Sequence, residues 1–148
     1  MAANLDDVDW AIIGQLQQEA RISISELGRR VGLGSSATAE RVRQLEAQGV
    51  VTGYHAVVDL AQAGYPVLAI VRLKYPGNHH QPLRRLLAER REILECLRTT
   101  GDDCYTLKVA ATSMEHLETL MDELAGFGST TTSVVYRQTL PYRGPGRP

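Results

Sequence analysis

Residues 33–46 read LGSSATAERVRQLE. At about 100° per residue, Thr38, Val42 and Leu45 fall in one narrow arc. Ser36, Glu40, Arg43, Gln44 and Ala47 fall on the opposite side. The stretch therefore predicts an amphipathic helix from Ser35 to Gln48, ended by Gly49, with a buried apolar arc and a polar outward face. Its surroundings decide what kind of helix it is. Upstream, ISELGRRVG places Ile24, Leu27 and Val31 on a second stripe. Ser23 and Glu26 fit a capping box, and Gly32 suits the left-handed stop of that helix. Only GLG separates the two helices. Further upstream, Val8, Ile12, Ile13 and Leu16 share one helical face, which also gives Trp10 a packing role. Downstream, VVTGYHAVV is β-rich and predicts a strand. Helix, helix, tight turn, helix, strand is the order of a winged helix-turn-helix module over residues 1–60.

The overall charge of −1 is not that of a strongly basic nucleic-acid binder. Locally the balance differs. Between Arg21 and Arg43, five arginines (Arg21, Arg29, Arg30, Arg41, Arg43) face Glu26 and Glu40, a surplus of three positive charges. Such a face can steer onto phosphate even on a nearly neutral protein, although a solvated helix surface would show the same composition.

After the segment DLAQAGYP the periodicity changes from helical to alternating. In YPVLAIVRLKY, Val67, Ala69, Val71, Leu73 and Tyr75 occupy one face of a strand and Leu68, Ile70, Arg72 and Lys74 the other. QPLRRLLAERR predicts a helix with Leu83, Leu86 and Leu87 inward. EILECLRTT and CYTLKVAAT predict a hairpin around GDD. SMEHLETLMDELAGFG predicts a helix capped by Ser113, and TTTSVVYRQTL a last strand. The order βαββαβ over residues 61–140 is that of a ferredoxin-like domain, so the fold class is α+β: a winged helix-turn-helix followed by a ferredoxin-like βαββαβ domain. The second face of that sheet has nothing in the chain to cover it, which predicts self-association, with a solvated face as the alternative. Residues 141–148, PYRGPGRP, read as a flexible tail.

Several function classes find no support. No run of 18 apolar residues and no signal-like N-terminus occurs, so neither a membrane nor a secretory route is expected. Centring the hairpin near Gly101 and Asp102 sets Cys104 opposite residue 99 and Cys96 opposite residue 107. A disulfide would require a register slip, so free thiols in a reducing cytosol are expected. His79 and His80 lack a nearby ligand set, His55 and His116 stand alone, and there is no phosphate loop, dinucleotide fingerprint or zinc-protease motif. No catalytic set, metal site or resident cofactor is expected.

The run LDDVDWAIIGQLQQEARISISELGRRVGL, then AERVRQLEAQGVVTGYHAVVD, then a βαββαβ domain containing TTGDDCYTLKV, resembles the leucine-responsive regulatory protein/AsnC family, the feast/famine regulators. The resemblance runs from Leu5 to about Leu140. It implies a cytoplasmic transcription regulator, not an enzyme, that binds double-stranded DNA through its N-terminal domain. It also implies a C-terminal domain that forms homodimers, assembles further, often to octamers, and binds small amino acids or related metabolites. On this resemblance the helix from Ser35 is the recognition helix. Ser35, Ser36, Glu40, Arg43 and Gln44 would approach the groove, and Arg41 would touch phosphate or brace the helix through an acidic neighbour. Two departures stand out: Gly34-Ser35 replaces the Ser-Pro found in many members, and Thr38 replaces a valine.

TTGDDCY falls where the family usually has Gly-x-x-Asp-Tyr, a loop that helps form the amino-acid site. Gly101 and Tyr105 agree, and the usual aspartate falls on Cys104. The implied ligand set is Thr100, Gly101, Asp102, Asp103, Cys104 and Tyr105, with Thr132 adding a hydroxyl from the last strand. Asp102 or Asp103 would accept from an ammonium group. A β-turn rich in Asp and Gly for turn chemistry alone is the plain alternative. At the level of the whole protein, two other readings remain: an architectural protein that wraps DNA with little ligand response, and an enzyme or enzyme regulator built on the ferredoxin-like domain.

Overall fold

A computed structural model describes residues 3–77, 80–102 and 104–148. The chain divides into two compact units: residues up to 57 together with 140–148, and residues 58–139.

The first unit contains α1 (Asp7–Gln18), α2 (Ile24–Val31) and α3 (Ser35–Ala47). Its core is Ile12, Ile13, Leu27, Val42 and Leu45, one or two residues from each predicted stripe. Trp10 packs half-buried against it. Thr38 is fully buried, and its hydroxyl donates to the Gly34 carbonyl at 2.9 Å, so the polar group carries no unmet bond into the core. Gly32 stops α2 at φ 73°. Gly28 matters for a different reason: a Cβ there would lie 2.7 Å from the Leu33 carbonyl oxygen and 2.8 Å from the Thr38 hydroxyl. The short turn between α2 and α3 closes only because that side chain is absent.

Capping departs from expectation. Ser23 accepts from the Glu26 amide at 3.2 Å, but Glu26 does not reach back. Its carboxylate goes instead to Arg29 and Arg30, at 2.7 to 2.8 Å. The reciprocal box sits on α1, where Asp6 accepts from the Asp9 amide at 2.8 Å and Asp9 accepts from the Asp6 amide at 3.1 Å. Two nearby guanidinium groups outcompete one backbone N–H for the Glu26 carboxylate because charged donors form the stronger bond.

The strand expected at VVTGYHAVV does not form. Val50 and Val51 donate backbone N–H groups to the Leu45 carbonyl at 2.9 and 3.1 Å, which closes α3. Beyond them no ladder partner forms among the described residues, and β propensity without a partner does not make a strand. Val57 and Val58 are 101% and 60% exposed. Residues 141–148 carry neither helix nor strand, yet they touch α1: Gln17 Nε2 donates to the Pro145 carbonyl at 3.2 Å, and Arg147 pairs with Asp7.

The second unit contains β1 (Val67–Lys74), α4 (Gln81–Glu89), β2 (Ile93–Arg98), β3 (Tyr105–Ala111), α5 (Met114–Ala125) and β4 (Ser129–Val134). The sheet is antiparallel in the order β2-β3-β1-β4. That order and the βαββαβ sequence make it ferredoxin-like. Ala69, Val71 and Leu73 of β1 and Leu107, Val109 and Ala111 of β3 meet Leu83 of α4 and Leu117, Leu120 and Leu124 of α5 in one core. Ser113 caps α5 by accepting from the His116 amide at 3.0 Å. His116 is not isolated: its Nε2 lies 3.2 Å from the Glu92 carboxylate, and its Nδ1 lies 2.9 Å from the Thr112 hydroxyl. The last strand ends at Val134 instead of running on toward Leu140. Leu68, Ile70, Arg72 and Lys74 line the opposite face of β1, beside Thr106, Lys108 and Ala110 of β3.

Candidate DNA interface and ligand turn

Ser35, Ser36, Glu40, Arg43 and Gln44 are all exposed on α3, as its periodicity requires. Gly34 is the N-cap and supplies no side-chain bond, so the first-turn amides of α3 stay open to an incoming acceptor. Glu40 organises the outward face of α3. Its carboxylate takes Arg43 Nη2 at 2.9 Å and Gln44 Nε2 at 3.1 Å. The two side chains best suited to base edges are thus held together on one face by a third.

Arg41 behaves differently. One terminal nitrogen, Nη1, donates to Asp6 and to Asp9, each at 2.8 Å. It joins α3 to the N-terminus of α1, which is a bracing contact through acidic neighbours. The Asp9 amide, and then Arg41, hold the Asp6 carboxyl below its ordinary range.

The surplus of positive charge expected between Arg21 and Arg43 is mostly neutralised on folding. Arg29 and Arg30 pair with Glu26, Arg30 also reaches Glu19 at 3.1 Å, Arg41 is taken by Asp6 and Asp9, and Arg43 by Glu40. Asp6, Asp9 and Glu19 precede that stretch of chain, and the fold brings them back onto it. Among the described residues, Arg21 is the member of the five for which no ion pair forms. The bracing role of Asp6 and Asp9 was not named from the sequence. Their i, i+3 spacing before an apolar stripe was the available signal.

The turn between β2 and β3 is closed by the Thr99 amide donating to the Cys104 carbonyl at 2.9 Å, the predicted register. Cys96 faces Leu107, also as predicted, and both cysteines are free thiols. Gly101 has φ 102°. Thr100, Gly101 and Asp102 are exposed at the turn, while Asp103 lies outside the described residues, as does His79. Cys104 and Tyr105 point inward. The Cys104 thiol approaches the Tyr75 carbonyl at 3.6 Å. Tyr105 is buried, and its hydroxyl lies 2.9 Å from His80 Nδ1 within a ring cluster that includes Tyr75, 6.3 Å away edge-on. Thr132 does not join the turn, because β1 lies between β3 and β4. Its hydroxyl meets the Met121 sulfur at 3.1 Å, and it lines a shallow groove with Met114, Leu117, Met121 and Val134. Of the predicted ligand set, three described residues are therefore together and open to solvent.

Among the described residues no three His, Cys, Asp or Glu side chains gather as a metal site, and no helix is long and apolar enough to cross a membrane.

A helix-turn-helix followed by a four-stranded α+β domain defines a two-part transcription regulator, a non-enzymatic class. An AsnC-type helix-turn-helix domain matches residues 5–46 and the Lrp/AsnC ligand-binding domain matches residues 68–145. The chain belongs to the Lrp/AsnC family. It is 32% identical over 142 residues to the transcriptional regulator LrpC of Bacillus subtilis, covering 96% of this chain and 99% of that one. The solved structure of B. subtilis LrpC superposes with a TM-score of 0.90, covering 95% and 100% of the two chains at 31% identity. A feast or famine regulatory protein of Mycobacterium tuberculosis complexed with L-methionine superposes with a TM-score of 0.86, covering 95% and 98% at 29% identity.

Proposed function

We propose that the protein is a sequence-specific DNA-binding regulator whose C-terminal domain responds to a small amino acid. The exposed Glu40–Arg43–Gln44 constellation on α3 carries the DNA half of this reading. Arg43 and Gln44 read base edges, Ser35 and Ser36 with the open amides of α3 contact phosphate, and Arg41 keeps α3 seated on α1. The L-methionine bound by the M. tuberculosis relative supports an amino-acid effector here. Thr100, Gly101 and Asp102 offer the exposed part of such a site, with the Asp102 carboxylate as the acceptor for an ammonium group. The open face of the sheet, with Leu68, Ile70 and Leu97 beside Glu95 and Lys108, supports pairing of two copies in a homodimer and further assembly toward an octamer.

The test is a titration against labelled DNA from upstream of the protein's own gene, with scrambled DNA as control, at two salt concentrations and with and without L-methionine. Preference for the first DNA by roughly 10³ or more at physiological salt is the expected result. Equal binding to both would establish the architectural, DNA-wrapping reading in its place.

A further inference from the structure

In the second unit a groove runs between α5 and the edge strand β4. Met114, Leu117 and Met121 line it from the helix, and Thr132 and Val134 from the strand. Thr132 and Val134 stand opposite Val71 and Ala69 of β1, which sets them on the helix side of the sheet, whereas Arg72 and Lys74 of β1 lie on the other face. The rim carries one sign of charge. Glu115 and Glu118 border the groove, and Asp122 follows one turn along α5. All three are exposed and, among the described residues, form no ion pair. Neither α5 nor β4 contains a lysine or an arginine. The segment after β4 has the opposite character. Residues 136–143 read YRQTLPYR, with two arginines and no acidic residue. Tyr136 is 104% exposed, Tyr142 89% and Leu140 61%, so these large side chains find little cover in their own chain. Arg137 and Arg143 form no ion pair among the described residues.

We propose that the groove between α5 and β4 takes residues 136–143 of a second copy of the chain. Exposed aromatic rings gain by leaving water for apolar surface, and methionines adapt their shape to rings and add sulfur–aromatic contact. The two arginines then meet a rim built of carboxylates alone, which fixes the partner more than it adds raw affinity. Val134 lines the groove and Tyr136 opens the segment two residues later. Groove and segment thus adjoin on every copy. Two copies can exchange segments about a two-fold axis, each filling the other's groove. The unpaired edge of β4 lies at the same place, and an exchanged segment covers a strand edge that would otherwise be open to indiscriminate pairing. Within one chain the segment leaves its own groove open, and the residues that follow it are held on α1 through Pro145 and Arg147.

The inference adds a contact to the self-association proposed above, and the experiment separates the two. The mass of the full chain is followed by light scattering at micromolar concentration. It is compared with that of a groove variant, Glu115→Lys/Glu118→Lys, and a segment variant, Arg137→Glu/Arg143→Glu. All four side chains are exposed, and circular dichroism checks that each variant is folded. Each variant alone is expected to fall to about half the intact mass or less, the loss of one two-fold contact. Mixing the two in equal amounts is expected to restore the intact mass, because each groove then faces a segment of opposite charge on the other variant. Recovery on mixing requires a contact between copies, so a segment acting within its own chain would not show it. An unchanged mass in either variant, no recovery on mixing, or a monomeric intact protein would overturn the proposal. Leu97→Lys, on the open face of the sheet, tests the other reading. Loss of mass there with none in the charge variants removes the groove contact alone. Loss in the charge variants, recovered on mixing, with none in Leu97→Lys supports the groove contact and removes the sheet-face pairing.

Discussion

Arg41 Nη1 lies 2.8 Å from the Asp9 carboxylate, and this bond joins the third helix of the DNA-binding unit to the first turn of its first helix. Asp9 is also half of the capping box that starts α1, so one carboxylate both begins a helix and anchors another. Arg41→Gln keeps a polar side chain but loses the charge. It is expected to lower the thermal midpoint and to weaken binding to all DNA sequences alike, since it alters the seating of α3 and not its reading face. The stability difference should shrink at high salt, where exposed pairs are screened. An altered sequence preference in a binding-site selection would show that Arg41 reads bases.

Glu26 predicts a pH dependence. Hydrogen bonds from Arg29, then Arg30, hold its carboxyl down at about 2, against an ordinary value of 4.5. A carboxyl depressed by folding contributes stability that is fully present above 4.5 and is lost as pH falls toward about 2. Wild type and Glu26→Gln should therefore differ most near neutral pH and converge in strong acid. Parallel stability curves from pH 6 to 2 would contradict the assignment.

Gly28→Ala tests the turn. The added methyl would meet the Leu33 backbone oxygen at 2.7 Å, an atom that cannot swing aside. Overpacking of this kind costs about 1–3 kcal/mol, read as a lowered urea midpoint. An unchanged midpoint would show that the α2–α3 turn relaxes freely.

On the reading face, Arg43→Ala and Gln44→Ala should each lose about 1–3 kcal/mol of discrimination between operator and scrambled DNA. Glu40→Ala should do the opposite for bulk affinity. It frees Arg43 and Gln44 and removes a negative charge, so non-specific binding tightens while discrimination falls. Competition titrations with both DNAs separate the two effects.

Tyr105→Phe removes only the hydroxyl that lies 2.9 Å from His80 Nδ1. A loss of about 0.5–1.5 kcal/mol in stability is expected, with secondary structure unchanged. Calorimetric titration with L-methionine on the same variant shows whether the inward side of the turn also tunes the effector site.

Local pattern was readable where each residue's neighbours in sequence are also its neighbours in space. The Thr38–Val42–Leu45 arc, the alternation of Val67, Ala69, Val71 and Leu73, the Ser113 cap and the register that sets Thr99 against Cys104 all obey that condition. The wing strand at VVTGYHAVV failed because a strand is completed by a partner, and composition cannot say whether one is present. Thr132 was grouped with the turn by its chemistry, whereas the strand order set β1 between them.

By itself the amino-acid sequence determined the helices, the four strands of the second domain, the two-domain order and the exposed side of α3. Periodicity, caps and turns act over three or four residues, and their free energies are local. Only the tertiary structure decided where the charges go. Asp6, Asp9 and Glu19 meet Arg41 and Arg30 across 11 to 35 residues of chain, and so convert an apparent basic patch into a set of braces. Coulombic pairing depends on distance in space, and distance in space is set by the packed core of Ile12, Leu27, Val42 and Leu45, not by any window along the chain.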